Sequence, residues 1–325
     1  MKDAIHLFTA LGKAFGDFGA TPQTEALIVQ ACEENPWFTP SDIRRAVGAF
    51  IDQMLQPEAL ERWLKAYQVP VATPRNVLVI MAGNIPLVGF FDLLCVVASG
   101  HRCLVKPSSK DAVLMGYLID LLHIIEPSVA LERYHDQPID AVIATGGESA
   151  NRAFRSRYAT IPALLRGSRQ SVAVLTGKES PSELAALADD IWAYSGLGCR
   201  SISLLFLPRG YTLRLQMPPM NPKYINNYRQ TKALLTLNQT PHLDFGASVA
   251  VEQRAFPSAL SLLSYTYYDS VEEVVAWLSE HDEQLQCVVS SLPLHTRQVP
   301  FGRGQAPTLT EYPDECDVLE FLTSF

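Results

Sequence analysis

The stretch SGLGCRS, residues 195–201, sets Cys199 among Gly196, Gly198 and Arg200. A thiol there can attack an electrophilic carbon if it is reachable and if backbone amides or a cation stabilise its thiolate. The flanking glycines let a ligand or another backbone come close. The same residue can equally fill a tight turn as a small apolar group, the usual fate of an unpaired cysteine. Three other stretches carry ligand-competent groups. Met81-Ala-Gly-Asn-Ile-Pro86 offers the Asn84 carboxamide, which can donate to an oxyanion or simply cap a turn. Val105-Lys-Pro-Ser-Ser-Lys-Asp111 offers Lys106, Ser108, Ser109 and Lys110, suited to a ribose or a phosphate, although a lone strand-terminal lysine is also ordinary surface. Ala144-Thr-Gly-Gly-Glu-Ser149 puts Gly146 and Gly147 where amides at a helix start can face a pyrophosphate. No G-x-G-x-x-G occurs, so a nucleotide cofactor is indicated by the three turns together rather than by the ordinary dinucleotide motif.

These turns need strands to hold them. Residues 1–70 read as a helical lead-in: Thr21-Pro22, Thr39-Pro40 and Pro57 each open a helix, and Pro70 and Pro74 end the series. Asn76-Val-Leu-Val-Ile-Met-Ala82 is a short apolar run of the kind buried on both faces of a sheet. From there, strands at 76–82, 102–106, 140–144 and 171–175 alternate with helices at 87–99, 111–125 and 148–155, a pattern that predicts a parallel sheet covered by helices. A helix over 182–194 and a strand over 201–207 put Cys199 at their junction. Further on, a helix at 223–235, strands at 245–251 and 259–267, a helix at 270–279 and a strand at 286–289 are expected.

Composition narrows the function. With 325 residues, 48% of them hydrophobic, the chain can build sizeable cores in about two domains. A net charge of -8 argues against nucleic acid as a partner, since phosphate neutralisation needs clustered cations. The five arginines between Arg152 and Arg169 form either a solvated face or a local anion site. No run is long enough to span a bilayer. The N-terminal apolar pattern is broken by Asp3, Lys13 and Asp17, unlike a signal peptide, and six scattered cysteines without C-x-x-C read as reduced thiols in a cytoplasmic protein. The seven dispersed histidines give no metal pattern, so no metal is expected.

Taken in order, AGNIPL, LVKPSSKD, ATGGES, SVAVLTGKES, SGLGCRSISLLFLP and VPFGRGQAP resemble the successive signatures of the aldehyde dehydrogenase superfamily, with the strongest likeness to its short LuxC-type fatty acyl-CoA reductase branch. The resemblance runs from about residue 75 to the C-terminus. It implies an α/β fold of two Rossmann-like parallel-sheet domains: a nucleotide-binding domain over 1–175 with part of 293–325, and a catalytic domain over 176–292. It places Cys199 on the acyl-accepting cysteine, Asn84 on the oxyanion-holding asparagine, Lys106 on the ribose-contacting lysine, and Gly146 and Gly147 beside the cofactor pyrophosphate. Pro300-Phe301-Gly302 matches a late segment to which no chemical role is assigned. Val174 falls where hydrolytic relatives carry a water-activating glutamate. Ser109 and Lys110 stand where NAD-preferring relatives carry an acid, which favours NADPH, with NADH the alternative.

The implied activity is NADPH-dependent reduction of a long-chain fatty acyl-CoA to an aldehyde through a thioester on Cys199. The rivals are a short-chain CoA-acylating aldehyde dehydrogenase, a non-catalytic acyl-binding or accessory subunit, and a Cys/His hydrolase using His242, His281 or His295. A homo-oligomer, or a partner enzyme that supplies the acyl group or uses the aldehyde, is compatible with each of the enzymatic readings.

Overall fold

A computed structural model describes residues 2–325 of the chain. Two compact units emerge: residues up to 168 together with 307–325, and residues 169–306.

The first unit opens with helices α1 (Lys2–Phe15), α2 (Pro22–Glu34), α3 (Pro40–Gln53) and α4 (Pro57–Leu64). Thr21 and Thr39 cap α2 and α3 with their hydroxyls, and proline occupies the first helical position of α2, α3 and α4, where its missing N–H costs nothing. Leu7, Phe8, Leu11 and Phe15 form the buried face of α1. Strand and helix then alternate as β1 (Asn76–Ile80), α5 (Phe90–Ser99), β2 (Arg102–Lys106), α6 (Ala112–Ile125), β3 (Leu131–Arg133), β4 (Ala141–Thr145), α7 (Glu148–Arg157) and β5 (Ala163–Arg166). The sheet order is β3-β2-β1-β4-β5, every pair parallel. Val77, Leu78 and Val79 are fully buried, as a strand covered on both faces requires. A C-terminal helix, Val318–Thr323, returns to this unit, and the buried His101 ring ties it down: Nδ1 accepts from the Arg75 amide at 3.0 Å and Nε2 donates to the Leu322 carbonyl at 2.8 Å.

The second unit contains β6 (Gln170–Val174), α8 (Pro181–Trp192), β7 (Ile202–Pro208), α9 (Pro222–Leu237), β8 (Leu243–Asp244), β9 (Val249–Glu252), β10 (Leu262–Tyr268), α10 (Val271–Glu280), β11 (Leu285–Ser290) and β12 (Gln298–Val299). Its sheet order is β12-β11-β6-β7-β10-β9-β8. All pairs are parallel except β8 with β9, so this sheet is mixed where a purely parallel one is expected.

Two boundaries differ from the sequence reading. The strand expected to close the first domain, β6, pairs with β7 and β11 in the second sheet, and the first sheet ends instead with β5. β5 is short and ends in a charged residue, which hides its strand character: Arg166 is buried and held by Asp92 of α5 through a salt bridge. Likewise 293–306, including β12, lies in the second unit, and only 307–325 belongs to the first.

Candidate functional site

In the first unit the chain runs from β1 outward to β2 and β3, then crosses to β4 and β5 on the other side. The topological switch point therefore lies between the carboxyl ends of β1 and β4, the place where open α/β sheets gather ligands. In register, Ile80 sits beside Lys106 on one side and Ala144 on the other, so the turns holding Asn84, Lys106 to Lys110 and Gly146-Gly147 share one edge.

Long-range contacts brace this edge. Gly83 passes so near the next turn that a Cβ on it would lie 2.6 Å from both Ser108 Cβ and Ser108 Oγ; only glycine fits. Leu87, with φ 55°, donates its amide to Asp111 Oδ2 at 2.8 Å. Asp111 is buried, and that burial pushes its carboxyl up to about 8 against the opposing effect of the Leu87 amide. From the helical lead-in, Asn35 donates its side-chain amide to the Lys110 carbonyl at 3.0 Å. Ser108, half-buried, accepts from the Lys110 amide at 3.2 Å. Asn84, Lys106, Ser109 and Lys110 are exposed along the rim.

Gly147 is the N-cap of α7, with no side chain capping the helix, and a Cβ built on it meets nothing within 4 Å. An uncapped helix start with open space above it, at the switch point, fits a pyrophosphate. Gly146 has a packing role: its Cβ would come within 3.0 Å of Ala150 Cβ and 3.3 Å of the Phe154 ring. The arginine cluster splits. Arg152, Arg155 and Arg157 are exposed on α7, whereas Arg166 is buried against Asp92, and its carbonyl accepts from Gly146 N at 3.2 Å and from Asn151 Nδ2 at 2.7 Å.

In the second unit Cys199 lies in the turn just before β7. After α8 the backbone enters the left-handed region at Tyr194 (φ 54°), Ser195 (φ 54°) and Gly196 (φ 66°), and the first two are buried non-glycine residues. Such strain persists only where surrounding contacts enforce it. The Ser201 amide donates to the Gly198 carbonyl at 3.0 Å, closing a turn with Cys199 inside it. Ser171 on β6 donates its hydroxyl to the Cys199 carbonyl at 2.8 Å. Cys199 is exposed, whereas Cys95, Cys103 and Cys287 are buried and Cys32 and Cys316 half-buried. Burial pushes the Cys95 and Cys103 thiols well up, so those two stay protonated and inert. A cavity of about 220 Å³ adjoins the turn, with Gly196 and Ser201 in its wall beside Ile191, Tyr224, Leu260 and Leu263.

Sequence reasoning missed the brace behind this turn. Asp190, 1% exposed near the end of α8, accepts from Gly302 N at 2.6 Å and from Gly304 N at 2.9 Å. Arg200 Nε donates to the Gly304 carbonyl, and Gln305 Nε2 donates to Ser201 Oγ at 3.2 Å. The available signal was a carboxylate three residues after Leu187, on the apolar face of an amphipathic helix.

Val174, expected at the position of a water-activating acid, is fully buried in β6 beside Phe206 of β7 and Ser290 of β11. It belongs to a core cluster with Val172, Leu204 and Phe206. β5, which also runs into a glycine turn, carries Ala163, Leu164, Leu165 and Arg166 and no acid either. The histidines weighed for a hydrolase have other engagements: His242 with the Thr240 carbonyl, His281 stacked on Trp277 at 4.0 Å, and His295 with Asp282 at 2.9 Å. No helix among the described residues is long and apolar enough to cross a membrane.

The sequence profile of the acyl-CoA reductase (LuxC) family matches residues 34–216. A long-chain acyl-protein thioester reductase from Aliivibrio fischeri is 29% identical, over 44% of this chain and 34% of that protein. The match thus spans about a third of the length of that relative. Among solved structures, an aldehyde dehydrogenase from Physcomitrella patens in complex with succinate superimposes with a TM-score of 0.68 at 13% identity, covering 97% of this chain and 80% of that one. An aldehyde dehydrogenase from Bacillus cereus in complex with NAD+ gives 0.62 at 14% identity, covering 89% and 71%. At these identities the likeness establishes the fold.

Proposed function

Because the chain belongs to the acyl-CoA reductase (LuxC) family, we propose that it reduces an acyl thioester, foremost a long-chain fatty acyl-CoA, to the aldehyde with NADPH as reductant. The observation that carries this reading is the exposed Cys199 in a turn held on both sides, at the position the motif series assigns to the acyl acceptor.

In this reading the Cys199 thiolate attacks the thioester carbonyl. The Cys199 amide takes the tetrahedral oxyanion, a role the motif series also assigns to the Asn84 carboxamide, and a donor of this kind contributes about 3–4 kcal/mol in acyl-transfer enzymes. Collapse breaks the bond to the donor's sulfur, releasing CoA and leaving the acyl group on Cys199. A dihydronicotinamide, when bound, supplies the hydride that converts this thioester to aldehyde and frees the thiol. Lys106 and Ser108 would hold the adenosine ribose, and the Ser109 hydroxyl and Lys110 ammonium would accept a 2'-phosphate that a carboxylate would repel. The amides at the start of α7, reached past Gly146 and Gly147, would take the pyrophosphate. With no acid on β5 or β6 to activate water, release as aldehyde is favoured over hydrolysis to the free acid.

The relative from Aliivibrio fischeri is named for acyl-protein thioesters, which supports an acylated protein as a second donor. The test offers acyl-CoAs of graded length and an acyl-protein with NADPH or NADH, following nucleotide oxidation and aldehyde. Long-chain turnover with NADPH is expected, lost by a factor of about 10³ or more in Cys199→Ala. Unchanged turnover in that variant contradicts the mechanism. Preference for short acyl groups would indicate a short-chain CoA-acylating enzyme, and acyl binding without turnover an accessory subunit.

A further inference from the structure

We propose that Asp190 is a positioning residue for Cys199, its carboxylate fixing the nucleophile's turn through the Gly302–Gln305 segment. The inference rests on the reading of Cys199 as nucleophile, and it gives Pro300-Phe301-Gly302 and the residues after it the role the sequence left unassigned.

Both carboxylate oxygens are engaged, Oδ2 by the Gly302 amide at 2.6 Å and Oδ1 by the Gly304 amide at 2.9 Å. The fit requires both glycines. Gly302 has φ 79°, and a Cβ there would meet Ala186 Cβ at 3.0 Å; a Cβ on Gly304 would lie 2.8 Å from Asp190 Oδ1 itself. The segment so fixed grips the two residues that follow the nucleophile. The Gly304 carbonyl accepts from Arg200 Nε, and Gln305 Nε2 bridges the Asp190 carbonyl and Ser201 Oγ, both at 3.2 Å. Ser171 holds the Cys199 carbonyl from the β6 side. Arg200 and Ser201 thus cannot shift without breaking bonds that converge on Asp190.

A neutral side chain would pack here at less cost than a carboxylate, because burial penalises the ion. Burial pushes the Asp190 carboxyl from its ordinary 3.8 up to about 6; the amides of Gly302 and Gly304 and the charge of Arg200 oppose that rise, and neighbouring Asp189 adds to it. The ion is therefore kept at neutral pH at a cost in stability, as expected where two converging N–H groups need two acceptor oxygens. Protonation below about 6 turns one acceptor into a hydroxyl and gives up one of the two amide bonds.

The experiment compares the full-length wild type with Asp190→Asn, which keeps the volume and removes one acceptor, and with Gln305→Ala, which keeps the carboxylate. Hydrogen exchange of the Cys199–Ser201 amides needs no substrate or cofactor. It should accelerate by about tenfold or more in Asp190→Asn and less in Gln305→Ala, while β7 amides stay within about twofold of wild type. With an acyl thioester that the wild type reduces, kcat should fall by about tenfold at nearly constant KM, and the acid limb of the wild-type profile near pH 6 should flatten in Asp190→Asn. Exchange at 199–201 unchanged, or raised equally throughout β7, overturns the proposal. If the wild type reduces no acyl thioester, the proposed function fails, and the exchange measurement still decides whether Asp190 orders the turn.

Discussion

The two units place their functional groups by different means. In the first, Asn84, Lys106 to Lys110 and Gly146-Gly147 follow the ends of parallel strands whose register brings them to one edge, with Asn35 and Asp111 bracing the turns from outside. In the second, Cys199 precedes its strand, and its turn is set by partners 28 residues upstream on β6 and 104 residues downstream in the segment after β12. The edge proposed for the cofactor is built mainly from strand–turn–helix units, with exposed side chains around its rim. The proposed role of Cys199 as nucleophile needs placement to a fraction of an ångström, which local structure cannot supply, and distant residues brace its turn.

Breaking the buried Arg166–Asp92 pair tests how independent the units are and should have the largest effect. The two side chains are 4% and 7% exposed, and removing one partner from such a pair costs about 3–5 kcal/mol. Asp92→Ala should lower the denaturation midpoint of the first unit while exchange at the Cys199 turn stays as in wild type. A smaller effect is expected from Gly83→Ala, whose Cβ would clash with Ser108 at 2.6 Å; overpacking of this kind costs about 1–3 kcal/mol, and nucleotide affinity should drop while Cys199 alkylation by iodoacetamide does not. Smallest is a difference in pH response. Burial holds the His101 imidazole below its ordinary 6.5, so the folded state binds fewer protons at this ring than the unfolded one, and its contribution falls as pH drops below that value, against that of Asp111 in the same unit, whose carboxyl is raised to about 8. Asp190, raised to about 6, acts with the sign opposite to that of His101: its contribution is full below about 4 and is lost as pH rises through 6. Compared with wild type between pH 4 and 7, His101→Gln should lose only the part of the first unit's acid-side decrease that this ring causes, and Asp190→Asn the second unit's decrease with rising pH, each read by hydrogen exchange.

Much of this was legible in the sequence because its physics is local. The apolar run 76–82, the proline-led helices and the glycine turns each announce their element within a few residues. β5 was not, since the ion pair that lets Arg166 be buried involves Asp92, 74 residues away. Nor does the sequence separate β6 from the strands of the first sheet, because a buried parallel strand reads alike in either sheet. Its glycines single out Cys199 in the sequence, but nothing singles out the residues that hold its turn, because Gly302, Gly304 and Gln305 acquire their meaning only when the fold brings them against α8.

The central claim, that Cys199 accepts the acyl group, is tested most directly by incubating the protein with a long-chain acyl-CoA without nicotinamide nucleotide and reading the intact and peptide masses. The account predicts release of CoA and one acyl adduct on the peptide containing Cys199, absent in Cys199→Ala. An adduct on another cysteine, or none while aldehyde still forms when NADPH is added, would contradict it.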